Sequence, residues 1–432
     1  MMFAGAYCAT KDYACKENYD NYSFLSEVMG ENALLCLCGR INFTMLHINQ
    51  DVKTEKYDNM VLSSQGDVNL KYLGKGNGYG YGIELGAKAD SGVVKRGNTI
   101  IRKFLLFFEE DRIGVIQLGY VNTAADVFSI CGDKFLAGYL GPGSGNLPAF
   151  YNTSAGSIVC PGFPGNDAKA AKIVWLSPVF SGVSAGLSFT PDSRDVGPFK
   201  TQHHQKNNYL EKADFFGLKR AYSKNVATIG LAYERGAPDE LNAKISVAGW
   251  LGKGKSGMED DRIEVRNVAA WNVGFTVCCK DWRTSFGYMD SGKSLLSKKF
   301  ATQEISDFDG NRNYLLSDPD VGIRSGADAG KIYSLGIAYS LWRELIISCG
   351  YFHSVMKFSE NEKATANIFT MAAEYSFGEK HPFGKNLSIY IEYNYIRTDS
   401  CARARAYGKS CNMSSTGKNS ANIIMVGGKC LF

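Results

Sequence analysis

Apolar residues recur at every second position through most of this chain. Gly39, Ile41, Phe43 and Met45 share one parity, with Arg40, Asn42 and Thr44 between them. Strict alternation of this kind predicts a half-buried strand, because successive side chains point to opposite faces. Val68, Leu70 and Tyr72 alternate with Asn69 and Lys71, and Tyr79, Tyr81, Ile83, Leu85 and Ala87 return opposite Gly80, Gly82, Glu84, Gly86 and Lys88. Between these runs, Lys75-Gly76-Asn77-Gly78 predicts a tight turn, since Asn and Gly tolerate the positive φ it needs. Similar runs predict strands over 100–108, 113–120, 169–176, 183–190, 225–234, 241–252, 268–277, 282–289, 331–339, 344–353, 365–377, 387–396 and 420–432. The run 100–108 is apolar on both faces apart from Arg102 and Lys103, which suggests a strand at a subunit contact.

The count is about sixteen, and the connections alternate between short and long. Short ones cover 109–112, 177–182, 236–239, 278–281 and 340–343, while long ones cover 121–169, 191–224, 290–328 and 397–418. An even number of strands with tight turns at one end and long loops at the other predicts an all-β fold, a transmembrane antiparallel β-barrel of about 16 strands. In such a barrel the apolar face meets lipid and the polar face lines a wet lumen. A propeller would show an internal repeat of about four strands per blade, and none appears. A soluble sandwich would put bulkier polar residues opposite the aromatic face than the Gly80–Gly86 stretch provides.

Composition agrees. The chain has 432 residues, 47 Gly, only 10 Pro and 12% aromatics. No run of about 18 apolar residues predicts a transmembrane helix. The net charge of +5 is small for this length and no Lys/Arg block stands out, so nucleic acid is not an expected partner. Enzyme signatures are weak: the G-x-S-x-G match Gly182-Val-Ser-Ala-Gly186 runs into an alternating strand and not through a strand-to-helix elbow, and there is no H-E-x-x-H. Gly76-Asn77-Gly78-Tyr79-Gly80 keeps strand period with no helix after it, which excludes a phosphate loop. His203-His204 sit in a polar connection without ligand spacing, and neither a metal nor a cofactor is expected.

The stretch 121–169 is too long for a plain connection unless it is functional. Rich in Gly, Pro and Asp, it reads as a loop that folds into the barrel and narrows a pore. Twelve cysteines point to an oxidising compartment, since their spacings fit no common zinc site. Cys131 with Cys160, and Cys401 with Cys411, are candidate staples, the first worth roughly 3 kcal/mol on chain-entropy grounds. Cys36 or Cys38 is placed to reach Cys430 where the first and last strands meet. Sequence leaves the pairing open, because geometry decides it. Residues 1–36 read as an extension before regular structure, with Ala4-x-Ala6 resembling a signal-peptide cleavage site, and 37–432 as the barrel.

Three segments carry a resemblance. They are Gly114-Val-Ile-Gln-Leu-Gly-Tyr120, Leu176-Ser-Pro-Val-Phe-Ser-Gly182 and Ala185-Gly-Leu-Ser-Phe-Thr-Pro191, with a final alternating strand that ends in Phe432. In this order they resemble the general porins of Gram-negative bacteria, particularly the alphaproteobacterial members, over roughly residues 37–432. The resemblance implies an outer-membrane homotrimer in contact with lipid, each barrel a water-filled channel for ions and small hydrophilic solutes. It also implies that the third outer loop, here 121–169, forms the constriction. The cysteine content and the N-terminal extension depart from the family pattern. The chemistry of a pore is electrostatic selection at a narrow wet point. The loop supplies Asp126, Asp133 and Lys134, and inward-facing strand positions supply Arg40, Lys71, Glu84, Lys88 and Arg102. The competing reading is a cysteine-cross-linked surface protein of the outer membrane, with a barrel scaffold and loops that meet a host or neighbouring protein.

Overall fold

A computed structural model describes residues 33–50, 60–76, 78–91, 98–138, 170–193, 221–236, 240–256, 264–295, 328–342, 344–357, 363–378, 386–400 and 418–431. Sixteen antiparallel strands form one closed barrel in which each strand pairs with its sequence neighbours and β1 pairs with β16. In order they are β1 Ala33–Gln50, β2 Met60–Gly76, β3 Tyr79–Ser91, β4 Asn98–Glu110, β5 Gly114–Tyr120, β6 Ala171–Leu176, β7 Val183–Asp192 and β8 Ala221–Arg235. They continue as β9 Leu241–Ser256, β10 Val268–Cys279, β11 Trp282–Asp290, β12 Asp328–Ser340, β13 Leu345–Lys357, β14 Lys363–Ser376, β15 Leu387–Ser400 and β16 Lys418–Leu431. A short helix, α1 Ala124–Phe128, follows β5. The sixteen-stranded barrel and the alternation of short and long connections are as the pattern predicts. β1, however, begins at Ala33, inside the stretch assigned to the extension, because Leu35 and Leu37 already continue the outward parity of Ile41.

The outer surface is apolar. Phe43, Leu62, Tyr81, Leu118, Leu187, Ile229, Ile245 and Ile391 all point outward and are exposed. Closing the sheet satisfies the backbone hydrogen bonds between strands and leaves no free edge, the condition for crossing hydrocarbon. The joint runs from Arg40 opposite Leu431 to Gln50 opposite Ala421.

The inner face is not polar throughout, which corrects the expectation of a hydrated side along every strand. Toward the strand ends that lead into the long connections, β9 to β16 and β1 turn apolar residues inward as well. Trp250 lies opposite Ala270, Met289 opposite Ile332, Phe352 opposite Ile368, and Ile368 opposite Ile396. Across the joint, Ile48 faces Ile423 and Leu46 faces Met425. These side chains are 0–5% exposed and belong to one apolar cluster.

Strand β4 turns its second apolar face inward: Leu105 and Phe107 belong to that interior cluster with Val115, Val121 and Val174, while Phe104, Leu106 and Phe108 stay exposed on the outside.

Ile229 projects outward near the middle of β8 with 56% exposure. We expect Ile229→Arg to cost about 2–4 kcal/mol at the bilayer midplane, measured by equilibrium unfolding from lipid vesicles. No measurable loss would remove this face from the membrane.

Candidate functional site

The loop leaves β5 at Val121 and turns at once into α1. Thr123 caps the helix: Asp126 N–H donates to Thr123 Oγ1 at 3.1 Å, while the Asp126 carboxylate accepts from Thr123 Oγ1–H at 2.7 Å and Thr123 N–H at 3.1 Å. This reciprocal box satisfies the helix's first orphan donors. Burial pushes the Asp126 carboxyl above the usual carboxylate range, against the pull of the Thr123 donors and the Lys172 charge.

The chain then runs along the inside of the wall, and successive strands offer it a small side chain or a hydroxyl. Ala124 N–H donates to Ser188 Oγ on β7 at 3.2 Å, and Ala125 N–H to Thr228 Oγ1 on β8 at 3.2 Å. Ile130 N–H donates to Asn272 Oδ1 on β10 at 3.2 Å, and Gly132 N–H to Ser334 Oγ on β12 at 2.9 Å. Gly132 O accepts from Ser285 Oγ on β11 at 2.8 Å. Ala137 N–H donates to Ser348 Oγ on β13 at 2.9 Å, and Gly138 N–H to Glu374 Oε2 on β14 at 3.1 Å. Each neutral bond of this kind is worth about 0.5–1.5 kcal/mol net, so the series amounts to several kcal/mol.

Glycines make the groove in which the loop lies. A Cβ on Gly230 would meet the Phe128 side chain at 2.4 Å, and one on Gly336 would meet Gly132 O at 1.8 Å. Bulk at either position must push the loop off the wall.

The two ends of the loop share one clamp. Lys172 on β6 is 2% exposed, and its Nζ donates to Val121 O at 2.6 Å and Ala170 O at 2.7 Å. Sequence reasoning missed it. The signal was a lone Lys on the inward parity of Val174 and Leu176, in a strand that is otherwise apolar.

The predicted charges separate into groups. Asp133 and Lys134 follow α1 and are half-buried, with Lys134 Nζ 5.8 Å from the Phe135 ring centroid. Arg40, Lys71 and Glu84 do face inward, on the wall of β1 to β3, toward the short-turn end of the barrel. Arg40 pairs with Asp67 at 2.9 Å, and Lys71 Nζ lies 4.8 Å from the Phe107 ring centroid. Glu84 pairs with Lys103 at 2.8 Å. Lys103 was not among the expected residues, although its parity opposes that of Phe104, Leu106 and Phe108. A register shift in β4 separates Lys103 from Ile101, and Arg102 falls within it. The side chains of Arg102 and Lys88 lie outside the described residues, though the register places Lys88 opposite Asp67. Further around the same wall, Lys429 Nζ binds Glu374 Oε2 at 2.7 Å, which ties the end of the described loop to β16. Exposed ion pairs of this sort add about 0–1 kcal/mol each, so their meaning is charge placement rather than stability.

The cysteine expectations fare less well. Cys430 lies opposite Ile41, and both Cys36 and Cys430 are thiols, so neither Cys36 nor Cys38 bridges to Cys430. The strand register sets this: both N-terminal cysteines fall below the last paired rung. Cys131 is a half-buried thiol just after α1, and Cys160, Cys401 and Cys411 lie outside the described residues.

A family profile described as Gram-negative porin matches residues 35–400. An uncharacterized protein of Rickettsia bellii (strain RML369-C) is 25% identical over 238 residues, 45% of this chain and 54% of that relative, so the match spans about half of the relative's length. Among solved structures, Salmonella typhi OmpF in complex with daunomycin superposes with a TM-score of 0.58 at 11% identity, covering 93% of this chain and 98% of the other. An anion-selective porin from Comamonas acidovorans superposes with a TM-score of 0.56 at 15% identity, covering 93% and 100%. At these identities the superpositions speak for the fold.

We expect Gly336→Leu to unseat the loop while the barrel still closes. Tryptic cleavage within 121–138 should become faster, with heat-modifiable gel mobility retained. Unchanged cleavage would mean that the groove does not hold the loop.

Proposed function

Because the chain belongs to the Gram-negative porin family and lies in the bacterial outer membrane, we propose that it forms a channel for passive diffusion of ions and small hydrophilic solutes. The observation that carries this reading is the loop 121–138, held along the inner wall of β7 to β14 by side chains of those strands. The charged wall of β1 to β4 lies on the other side of the bore. A pore narrowed this way selects by charge and size without a chemical step. The constriction is set by Asp126, Asp133 and Lys134 on the loop and by Arg40, Lys71, Glu84, Lys88 and Arg102 on the wall. Lipid covers the apolar exterior, and the protein assembles as the homotrimer implied by the family resemblance. The pair Cys401–Cys411 remains a candidate cross-link of the last outer loop, whereas Cys131 is a thiol, against the expected staple to Cys160.

The buried apolar side chains that β9 to β16 and β1 turn inward favour a second reading, a barrel that serves chiefly as a surface scaffold. Planar-bilayer recording separates the two. The porin reading expects discrete conductance steps from folded protein and a weak anion preference in the reversal potential under a salt gradient. It further expects Lys71→Glu/Lys103→Glu to shift that potential toward cations, since both ammonium groups face the bore. Complete absence of steps from folded protein would leave the scaffold reading standing.

A further inference from the structure

On the outside of the barrel, the surface changes character along β13, β14 and β15. From their short-turn ends the outward positions of these strands carry no charge, through Ile347, Met371 and Ile391, up to a row in which Tyr351 faces Phe369 and Phe369 faces Tyr395. One outward rung further, His353 faces Asn367 and Asn367 faces Arg397. From Leu387 to Arg397 the strand climbs about 25 Å, at ~3.3 Å per residue and a tilt of about 40°, which is the height of the apolar band of such barrels. Arg397 therefore stands where hydrocarbon ends and headgroups begin, in the leaflet on the long-loop side.

The polar groups of this rung are arranged as donors. Asn367 Oδ1 accepts from the Tyr351 hydroxyl at 2.8 Å and lies 2.8 Å from His353 Nδ1, which donates because an amide oxygen only accepts. Both donors belong to β13, so the amide nitrogen of Asn367 turns the other way, toward β15 and Arg397. Arg397 is exposed, and among the described residues it has no hydrogen bond or ion pair. Asp399, the next outward position, has a partner other than Arg397. Lys331 on β12, by contrast, is paired with Asp290 at 3.4 Å. From this we infer that Asn367 and Arg397, with His353 as the positioning residue, form a binding site for the phosphate of an outer-leaflet lipid headgroup. The guanidinium fork matches two phosphate oxygens at once, and the Asn367 amide adds a further donor. The row of Tyr351, Phe369 and Tyr395, 36–44% exposed, lies directly below as an apolar bed for acyl chains, which favours a lipid over a free anion. The site depends on lipid meeting the apolar exterior and not on conduction, so a barrel that passes nothing would still hold the headgroup.

Two measurements test this. The first is native mass spectrometry of the folded full chain in detergent, with dioleoyl phosphatidic acid as the probe and dioleoyl phosphatidylcholine as the comparison. Phosphatidic acid should stay bound where phosphatidylcholine leaves, and Arg397→Gln should weaken its retention about ten-fold. Arg235→Gln, at an exposed outward position near the short-turn end of β8, should leave retention unchanged. Heat-modifiable gel mobility confirms that each variant is folded. The second measurement needs no variant. Arg397 of the unmutated protein should react several-fold more slowly with phenylglyoxal in vesicles that contain phosphatidic acid than in vesicles of phosphatidylcholine alone, as read by peptide mass spectrometry.

Equal retention by the unmutated chain and a folded Arg397→Gln variant, or equal phenylglyoxal rates in the two kinds of vesicle, would overturn the site. Displacement of the lipid by millimolar inorganic phosphate would overturn the lipid assignment and leave a site for free anions. Arg397 that is unreactive in both vesicles yet reactive in detergent-separated monomers would mean that a second copy of the chain covers this face, which also overturns it. If Arg397→Gln does not fold, the phenylglyoxal rates decide alone. None of these outcomes touches the porin reading, which stands or falls on conductance.

Discussion

A backbone N–H or C=O in hydrocarbon has no water to turn to, and leaving one unpaired costs several kcal/mol. The joint between β1 and β16 is where this chain meets that constraint, and the rest of the barrel depends on it. The pairing holds from Arg40 to Gln50 on one strand and from Leu431 to Ala421 on the other. Gly427 lets it close without strain. A Cβ there would meet Phe43 O at 2.4 Å and the Tyr390 hydroxyl oxygen at 2.5 Å. The space is taken instead by the Tyr390 ring, whose hydroxyl hydrogen-bonds Thr44 on the far side of β16. Glycine inside a strand usually weakens it. Here it lets a residue of β15 reach β1 and secure the joint from within.

Closure fixes the circumference, and sixteen strands enclose more space than their own inward side chains fill. The loop after β5 takes up part of that space, and the wall is shaped for it. Gly186, Gly230, Gly274, Gly287 and Gly336 stand on β7, β8, β10, β11 and β12, and at each an added Cβ would meet an atom of the loop at 2.7 Å or closer. Between them Ser188, Thr228, Asn272, Ser334 and Ser348 supply the hydrogen bonds that a loop pressed against a wall would otherwise lack. These bonds and the burial of Phe128 and Ile130 offset part of the cost of ordering the loop.

Period two tells one face from the other only when the faces differ. Strands such as Tyr79–Ser91 were therefore legible in the sequence: aromatics alternate with Gly and Glu, and the structure puts the aromatics outside. Strand β16 was legible as a strand but not as two surfaces. Ile423, Ile424, Met425 and Val426 are all apolar, and nothing local says that 423 and 425 look inward. The inward apolar cluster stayed hidden for this reason. Lys172 stayed hidden for another, since its role depends on two carbonyls, one of them 51 residues earlier in the chain. The groove was out of reach as well, because a Gly in a strand does not show which segment will lie across it. What the sequence did carry was the position of the loop, between the fifth and sixth strands and flanked by Gly114 to Tyr120 and by Leu176 to Gly182.

A charge can act on a passing ion only if local structure has not already consumed it. Asp126, proposed at the constriction, also closes the capping box of α1 with its carboxylate. Glu374 is taken by Gly138 N–H, Ser388 and Lys429, and Lys172 by two carbonyls. These groups hold the loop in place. Arg40 and Lys103 on the facing wall are among the charges that keep water, each with an acidic partner but with about a third of its surface still open. On the pore reading, the loop supplies the shape of the narrow point and the wall supplies most of its field. That division follows from burial: a group enclosed deeply enough to position a backbone is too enclosed to exchange partners with a hydrated ion.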